Sequence, residues 1–126
     1  MKSFLRLVCL ACMAVLPALP ATWSGWLVSS RCYSSLETNR SDLPSYVNWD
    51  RMAAIRYCSP SQKTRSFAIV EQSGLSFTLD PTGNERATSH FRNLSKRTLA
   101  TADITGQRVH NTITVANISV VKRSGR

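Results

Sequence analysis

Residues 65–79 carry the pattern of a β-hairpin and favour a mainly β fold. The first arm, residues 65–71, is rich in β-branched and aromatic side chains around Phe67, which are the residue types that strands prefer. The second arm, residues 75–79, alternates apolar and polar side chains, and this is the period of a half-buried strand. A short turn that contains glycine, residues 72–74, separates the arms. Two antiparallel strands joined by a tight turn are therefore predicted here.

Similar composition and alternation mark three further strands. The last of them changes its apolar face near Asn117, which predicts a β-bulge at that point. The five predicted strands cover residues 25–32, 65–71, 75–80, 99–106 and 112–121.

Two helices are predicted between these strands. Helical spacing of apolar residues, with Asn48 as the capping residue, predicts a short helix over residues 48–57. A weaker pattern predicts a second helix over residues 85–96. The polar residues 34–45 are expected to form a surface loop, and residues 80–84 are expected to form a turn that ends the hairpin.

Five strands with a helix between the third and the fourth are typical of the OB-fold, a small, partly open Greek-key barrel. The predicted fold is therefore a five-stranded OB-fold-like barrel with one or two short helices. The helix between the first two strands is then an insertion. An open α+β sheet is the alternative arrangement of the same elements.

The first 21 residues have the three parts of a secretory signal peptide. Lys2 and Arg6 precede an uncharged apolar run over residues 7–16, and helix-breaking prolines then lead to Ala21. A membrane-spanning helix needs about 20 apolar residues, and this run is shorter. Cleavage is expected after Ala21, and the alternatives are an uncleaved anchor and a lipid-modified Cys12.

Cleavage leaves residues 22–126, which are enough for one domain. We expect residues 22–121 to form a single barrel and residues 122–126 to form a flexible basic tail. The expected location is outside the cytoplasm, either in the periplasm or in the extracellular medium.

Cleavage also decides the cysteine chemistry, because Cys9 and Cys12 leave with the signal and Cys32 and Cys58 remain. An even number of cysteines in an oxidising compartment indicates a disulfide, and two thiols allow one pairing. Closing a loop of about 27 residues stabilises a fold by about 3.5 kcal/mol in the chain-entropy model. A metal site would need further ligands at suitable spacing, so we expect no metal and no cofactor.

The charge balance is strongly basic, with 16 Lys and Arg residues against 7 Asp and Glu residues. Removing Lys2 and Arg6 with the signal leaves 14 against 7, a net charge of +7. A basic surface favours anionic partners such as nucleic acid or acidic glycans. The alternative is that the charge serves solubility alone, because the basic residues are scattered along the chain.

The opening of the first predicted strand resembles a known pattern. Residues 25–32, Gly-Trp-Leu-Val-Ser-Ser-Arg-Cys, resemble the G-x-[IV]-x-D-x-x-C opening of small exported bacterial domains of unknown function. Those domains continue with a second cysteine, an aromatic-centred hairpin and a V-x-V-x-G … I-x-V-x-x-I pair. Residues 58, 67–70, 102–106 and 113–118 correspond to these parts.

The resemblance covers most of residues 24–121 and implies an exported OB-like domain with no known chemistry. Ser29 stands where the pattern has Asp, so any role of that carboxylate is missing from this chain.

The sequence offers no clear set of catalytic residues. A hydrolase needs a nucleophile, a base and a group that orients the base, and His90 and His110 are the chain's two imidazoles. Neither lies in a recognisable catalytic motif, and the carboxylates are scattered through predicted loops, turns and strand edges. We therefore expect a protein that is not an enzyme.

Binding is the favoured hypothesis, since OB-folds bind oligonucleotides and oligosaccharides on the face of strands two and three. The first hypothesis is an exported domain that binds, or packs against, another component of the bacterial envelope. The alternative is a basic OB-type binder of an anionic polymer, either an oligonucleotide or an acidic glycan. The candidate ligand-binding residues are Trp23, Trp26, Phe67, Phe77, Lys63, Arg65 and Arg86. For Phe67 and Phe77, burial in the barrel core is the alternative role.

Overall fold

The computed structural model describes residues 19–41 and 50–123. These residues form five strands and three helices in an order that confirms the predicted succession of strands. The elements are β1 (Ala21–Ser29), α1 (Ser30–Ser41), α2 (Arg51–Tyr57), β2 (Phe67–Glu71), β3 (Ser76–Leu79), α3 (Pro81–Ser89), β4 (Ala100–Val109) and β5 (Thr112–Lys122). Three predicted features lie wholly or partly outside the described residues: the signal peptide over residues 1–18, the Asn48 cap and the last three residues of the tail.

The five strands close into a barrel in the order β1-β2-β3-β5-β4. Neighbouring strands are antiparallel except β3 and β5, which run parallel and pair Thr78 with Thr112 and Leu79 with Ile113. The first strand completes the ring because it pairs with β2 on one side and with β4 on the other. The predicted OB-fold-like barrel is thus confirmed, and the open α+β sheet is excluded.

The predicted hairpin and the predicted bulge both occur. Strand β2 pairs with β3 across the short turn, with Ile69 opposite Phe77. In the long β4–β5 ladder, Thr105 lies opposite Asn117 and Gly106 lies opposite Val115. One extra residue, Ala116, therefore bulges from β5 next to Asn117, and the apolar face of the strand changes there.

Two apolar clusters lie on opposite sides of β1 and β2. The inner cluster fills the barrel, and in it Phe67 stacks on Phe91 with ring centroids 5.7 Å apart. The outer cluster lies between the barrel wall and helices α1 and α2, and it includes Val28, Tyr33 and Ile55. Because β2 is buried on both faces, its apolar residues run almost without interruption.

Helix α1 corrects two predictions. The first strand ends at Ser29 rather than at residue 32, and residues 30–41 form a helix where most of the segment was predicted to be a loop. The segment is polar, so its composition favoured a loop. Its helical conformation places Cys32, Tyr33 and Leu36 towards the outer cluster, and this contact compensates for the weak intrinsic helix signal.

An aspartate precedes each of the helices α2 and α3 and caps its N-terminus. Asp50, rather than Asn48, caps α2 by accepting a hydrogen bond from the backbone N–H of Ala53 at 3.0 Å. Asp80 caps α3 in the same way through Gly83 at 2.9 Å, and Pro81 occupies the first turn. The predicted turn at 80–84 is therefore the start of a helix, and the helix predicted over 85–96 covers Pro81–Ser89 instead.

The first and last strands extend to the two ends of the predicted domain. Ala21 pairs with Gly106 as the first residue of β1. Lys122 is the last residue of β5, and the backbone N–H of Arg123 donates to the carbonyl of Leu99. Over the described ranges, no helix is long and apolar enough to cross a membrane.

Candidate anion-binding groove

The strand directions bring several chain segments to one end of the barrel. Strands β1, β3 and β5 finish at this end, whereas β2 and β4 begin there. Helix α3 follows β3 at this end, and Phe91 behind it is fully buried in the inner cluster. We call this the helix end of the barrel. The opposite end, with the β2–β3 and β4–β5 turns, is the turn end.

A groove crosses the helix end. Its largest basin, of about 660 Å³, lies between the start of α1, the end of α2 and the segment that leads into β2. Two smaller basins of about 530 Å³ and about 400 Å³ continue towards α3. Arg65 lines all three basins, and Lys63 lines the first two. The basins therefore form one elongated surface, which we call the basic groove.

The lining of the basic groove is strongly cationic. Among the described residues that line it, Glu85 is the one carboxylate, and it lies at the far end beside Pro81. Among the described residues, the basic side chains of the groove form no ion pair with a carboxylate. Their positive charge is therefore available to an incoming anion. The five basic residues are Arg31, Lys63, Arg65, Arg92 and Arg97.

Two of the guanidinium groups are held in place by the protein. Arg65 donates from Nη1 to the carbonyls of Gln62 at 2.7 Å and Thr64 at 3.3 Å. Arg97 donates from Nη1 to the carbonyl of Tyr57, and its guanidinium lies 4.9 Å from the centroid of the Tyr57 ring. Each group is fixed by one nitrogen and keeps further N–H donors, so a ligand meets partly preorganised donors.

The segment before β2 adds hydroxyl groups beside these cations. Thr64 Oγ1 accepts from the backbone N–H of Ser61 at 3.0 Å, and Ser61 Oγ accepts from that of Lys63 at 3.3 Å. Ser66 Oγ accepts from the Ser30 hydroxyl at 2.9 Å. A hydroxyl that accepts a hydrogen bond still has its own proton to donate. Each of these three hydroxyls therefore offers the groove one proton to donate and one remaining lone pair.

The predicted disulfide forms one wall of the first basin. Cys32 in α1 is bonded to Cys58 at the end of α2, with the two Cα atoms 5.5 Å apart. The backbone N–H of Ser29 donates to the carbonyl of Cys58 at 2.8 Å, which ties the end of β1 to the same point. The disulfide thus holds α1 and α2 together where they border the groove.

The structure separates the predicted ligand-binding residues. Lys63 and Arg65 line the groove, whereas Arg86 donates to the carbonyl of Ala116 at 2.6 Å, outside the basins. Phe67 is fully buried and Phe77 is 5% exposed, so both belong to the inner cluster.

The two tryptophans lie on opposite faces of β1. Trp23 packs against the inner cluster and Trp26 against the outer one, and both are half-buried. The outer cluster also covers the outward residues of β2, Ala68 and Val70. In OB-folds, the outer face of strands two and three usually binds the ligand. In this chain, α1 and α2 cover the β2 part of that face.

Sequence reasoning missed Arg31, Arg92, Arg97 and Tyr57 as members of the groove. Arg31 lies at the start of α1 and Tyr57 at the end of α2, whereas Arg92 and Arg97 lie in the connection between α3 and β4. Nothing in their local sequence marks them, because it is the closure of the barrel that brings these segments together.

The two histidines are too far apart in the fold to act together. His90 is the residue that caps the C-terminus of α3 at the helix end, and its carbonyl accepts from Lys122 Nζ at 3.0 Å. His110 lies in the β4–β5 turn at the turn end, with a positive φ of 57°. Across the described residues, no three His, Cys, Asp or Glu side chains are grouped as metal ligands.

The fold is thus a small OB-fold-like barrel with one disulfide, an outer helical layer and a basic groove at its helix end. No protein-family profile matches the chain, and neither a curated protein nor a solved structure shows a significant match to it.

Proposed function

We propose that this chain is a small exported binding domain of bacterial origin, that it is not an enzyme, and that the basic groove holds its ligand. Export is supported by the signal-peptide pattern of residues 1–21 and by the disulfide between Cys32 and Cys58, since such bonds persist in oxidising compartments. The likeness of residues 25–32 to the opening of small exported bacterial domains agrees with this assignment.

The ligand is anionic. The observation that carries this proposal is that five basic side chains from three parts of the chain surround one groove, namely the start of α1, the segment before β2 and the α3–β4 connection. Among the described lining residues, Glu85 at the far end is the one carboxylate. Like charges gathered around a concavity repel each other, and a bound anion relieves that repulsion and forms charge-assisted hydrogen bonds. The partly fixed guanidinium groups of Arg65 and Arg97 reduce the ordering cost of binding.

A retention experiment tests the proposal with matched variants of the protein that lacks residues 1–21. The protein should bind heparin-agarose and elute with a steep dependence on salt, because binding releases counterions. Arg65→Gln should elute at clearly lower salt than the unmodified protein. Arg108→Gln should elute close to the unmodified protein, because Arg108 lies at the turn end, 5.1 Å from the centroid of the Phe77 ring.

The two variants carry the same net charge, so the comparison separates a site from general basicity. Equal elution of Arg65→Gln and Arg108→Gln would show that the groove is not the binding site. Absence of retention at about 0.15 M salt would refute an anionic ligand altogether.

A further inference from the structure

The shape of the basic groove limits what the anion can be. Its three basins follow one another, with Arg65 common to all and Thr88 and Arg92 shared by the second and third. A single small anion would occupy one basin and leave the other cations unpaired. A flexible, single-stranded chain that carries repeated charges can contact all three.

The aromatic residues argue against single-stranded nucleic acid. Proteins that bind such strands without sequence preference stack successive bases on exposed aromatic rings. Within the described parts of the chain, Tyr57 is the one aromatic residue that lines the groove; it is 59% exposed, and Arg97 already lies over its ring. Trp23 and Trp26 are engaged with the two apolar clusters, so they form no continuous row with Tyr57.

The polar groups of the groove instead match a sugar chain with acidic substituents. The hydroxyl protons of Ser61, Thr64 and Ser66 and the free N–H groups of Arg65 suit carboxylate, sulfate or phosphate oxygens. The exposed amide of Gln62 both donates and accepts, as sugar hydroxyls require.

We propose that the ligand of the basic groove is an acidic glycan, bound as an extended chain across the three basins. This inference rests on the proposed anion-binding function and adds the class of polymer. Recognition is through charge and hydroxyl contacts to successive sugars, and base stacking has no part in it.

The test is a solution titration of the disulfide-intact protein at about 0.15 M salt with three probes. These are a size-defined heparin oligosaccharide, an oligogalacturonate and an oligothymidine, with equal numbers of negative charges. At least one glycan should bind about tenfold more tightly than the oligothymidine. The better of the two glycans identifies sulfate or carboxylate as the preferred group.

Variants connect the affinity to the groove. Arg65→Gln should weaken glycan binding about tenfold, a loss of about 1.4 kcal/mol of binding free energy. Arg65→Lys should retain most of the affinity. The affinity of Arg108→Gln should stay within about twofold of that of the unmodified protein. Circular dichroism of each variant confirms that it is folded.

Two results would overturn the inference. Oligothymidine bound as tightly as the better glycan, with the same loss in Arg65→Gln, would identify a nucleic-acid groove and leave the proposed anion-binding function intact. Failure of all three probes to bind would refute the glycan and the anionic groove together.

Discussion

Asp80 joins three elements through one carboxylate oxygen, and its removal should destabilise the barrel more than the loss of an ordinary helix cap. Its Oδ1 accepts from the backbone N–H of Gly83 at 2.9 Å and from that of Val115 at 3.1 Å. The first bond caps α3, and the second attaches the end of β3 to β5. These are the two strands whose short parallel pairing closes the barrel.

The expected magnitude follows from the two bonds that Asp80→Ala removes. Loss of a helix N-cap costs about 1 kcal/mol. The N–H of Val115, a buried residue, is then left without its acceptor, which costs about a further 2 kcal/mol. The free energy of unfolding should therefore fall by about 3 kcal/mol, and Tm should fall by about 15 °C for a domain of this size.

Asp50→Ala is the matched control. Asp50 caps α2 through Ala53 at 3.0 Å, and among the described residues its carboxylate accepts no second backbone bond. This variant should lose about 1 kcal/mol. Urea unfolding of both variants with the disulfide intact, followed by circular dichroism, gives the comparison. Equal losses would refute the argument that Asp80 holds the barrel closed through Val115.

Two further predictions concern the disulfide and a close strand contact. Replacing Cys32 and Cys58 together by Ser should lower the free energy of unfolding by about 3.5 kcal/mol. In hydrogen-exchange measurements, α1 and α2 should lose protection before the barrel does. Uniform loss of protection would contradict this order. Gly25→Ala should cost about 3 kcal/mol in thermal unfolding, because a Cβ there would lie 2.2 Å from the carbonyl oxygen of Val70. An unchanged Tm would mean that β1 and β2 separate at little cost.

Much of the strand order was predictable because strand signals are local. The alternation in residues 75–79 reports which side chains face the core, and it holds in the structure as buried Phe77 and Leu79. The change of apolar face near Asn117 marked the bulge for the same reason. The same period places Trp23 and Trp26 on opposite faces of β1. Residues an odd number of positions apart in a strand point to opposite faces.

Helix α1 was not predictable from its own residues. Its polar sequence has a weak helix preference, and helices of this length depend on packing for their stability. The packing surface is the outer cluster, which exists because β1 and β2 are paired and the Cys32–Cys58 disulfide holds α1 against α2. The start of α3 was missed for a different reason, because Asp80-Pro81 also fits the start of a turn.

The sequence by itself determined the hairpin, the strand count, the disulfide partners and the basic charge, since each depends on local period, composition or elimination. The tertiary structure alone decided where that charge is concentrated. The basic side chains of the groove come from three parts of the chain that are distant in sequence: Arg31, then Lys63 and Arg65, then Arg92 and Arg97. They surround one groove because closure of the barrel brings the strand ends together at the helix end. The periodicity of apolar side chains shows which face of each strand is buried, but it does not show which strands are neighbours in the barrel. It therefore carries no information about where the strand ends meet.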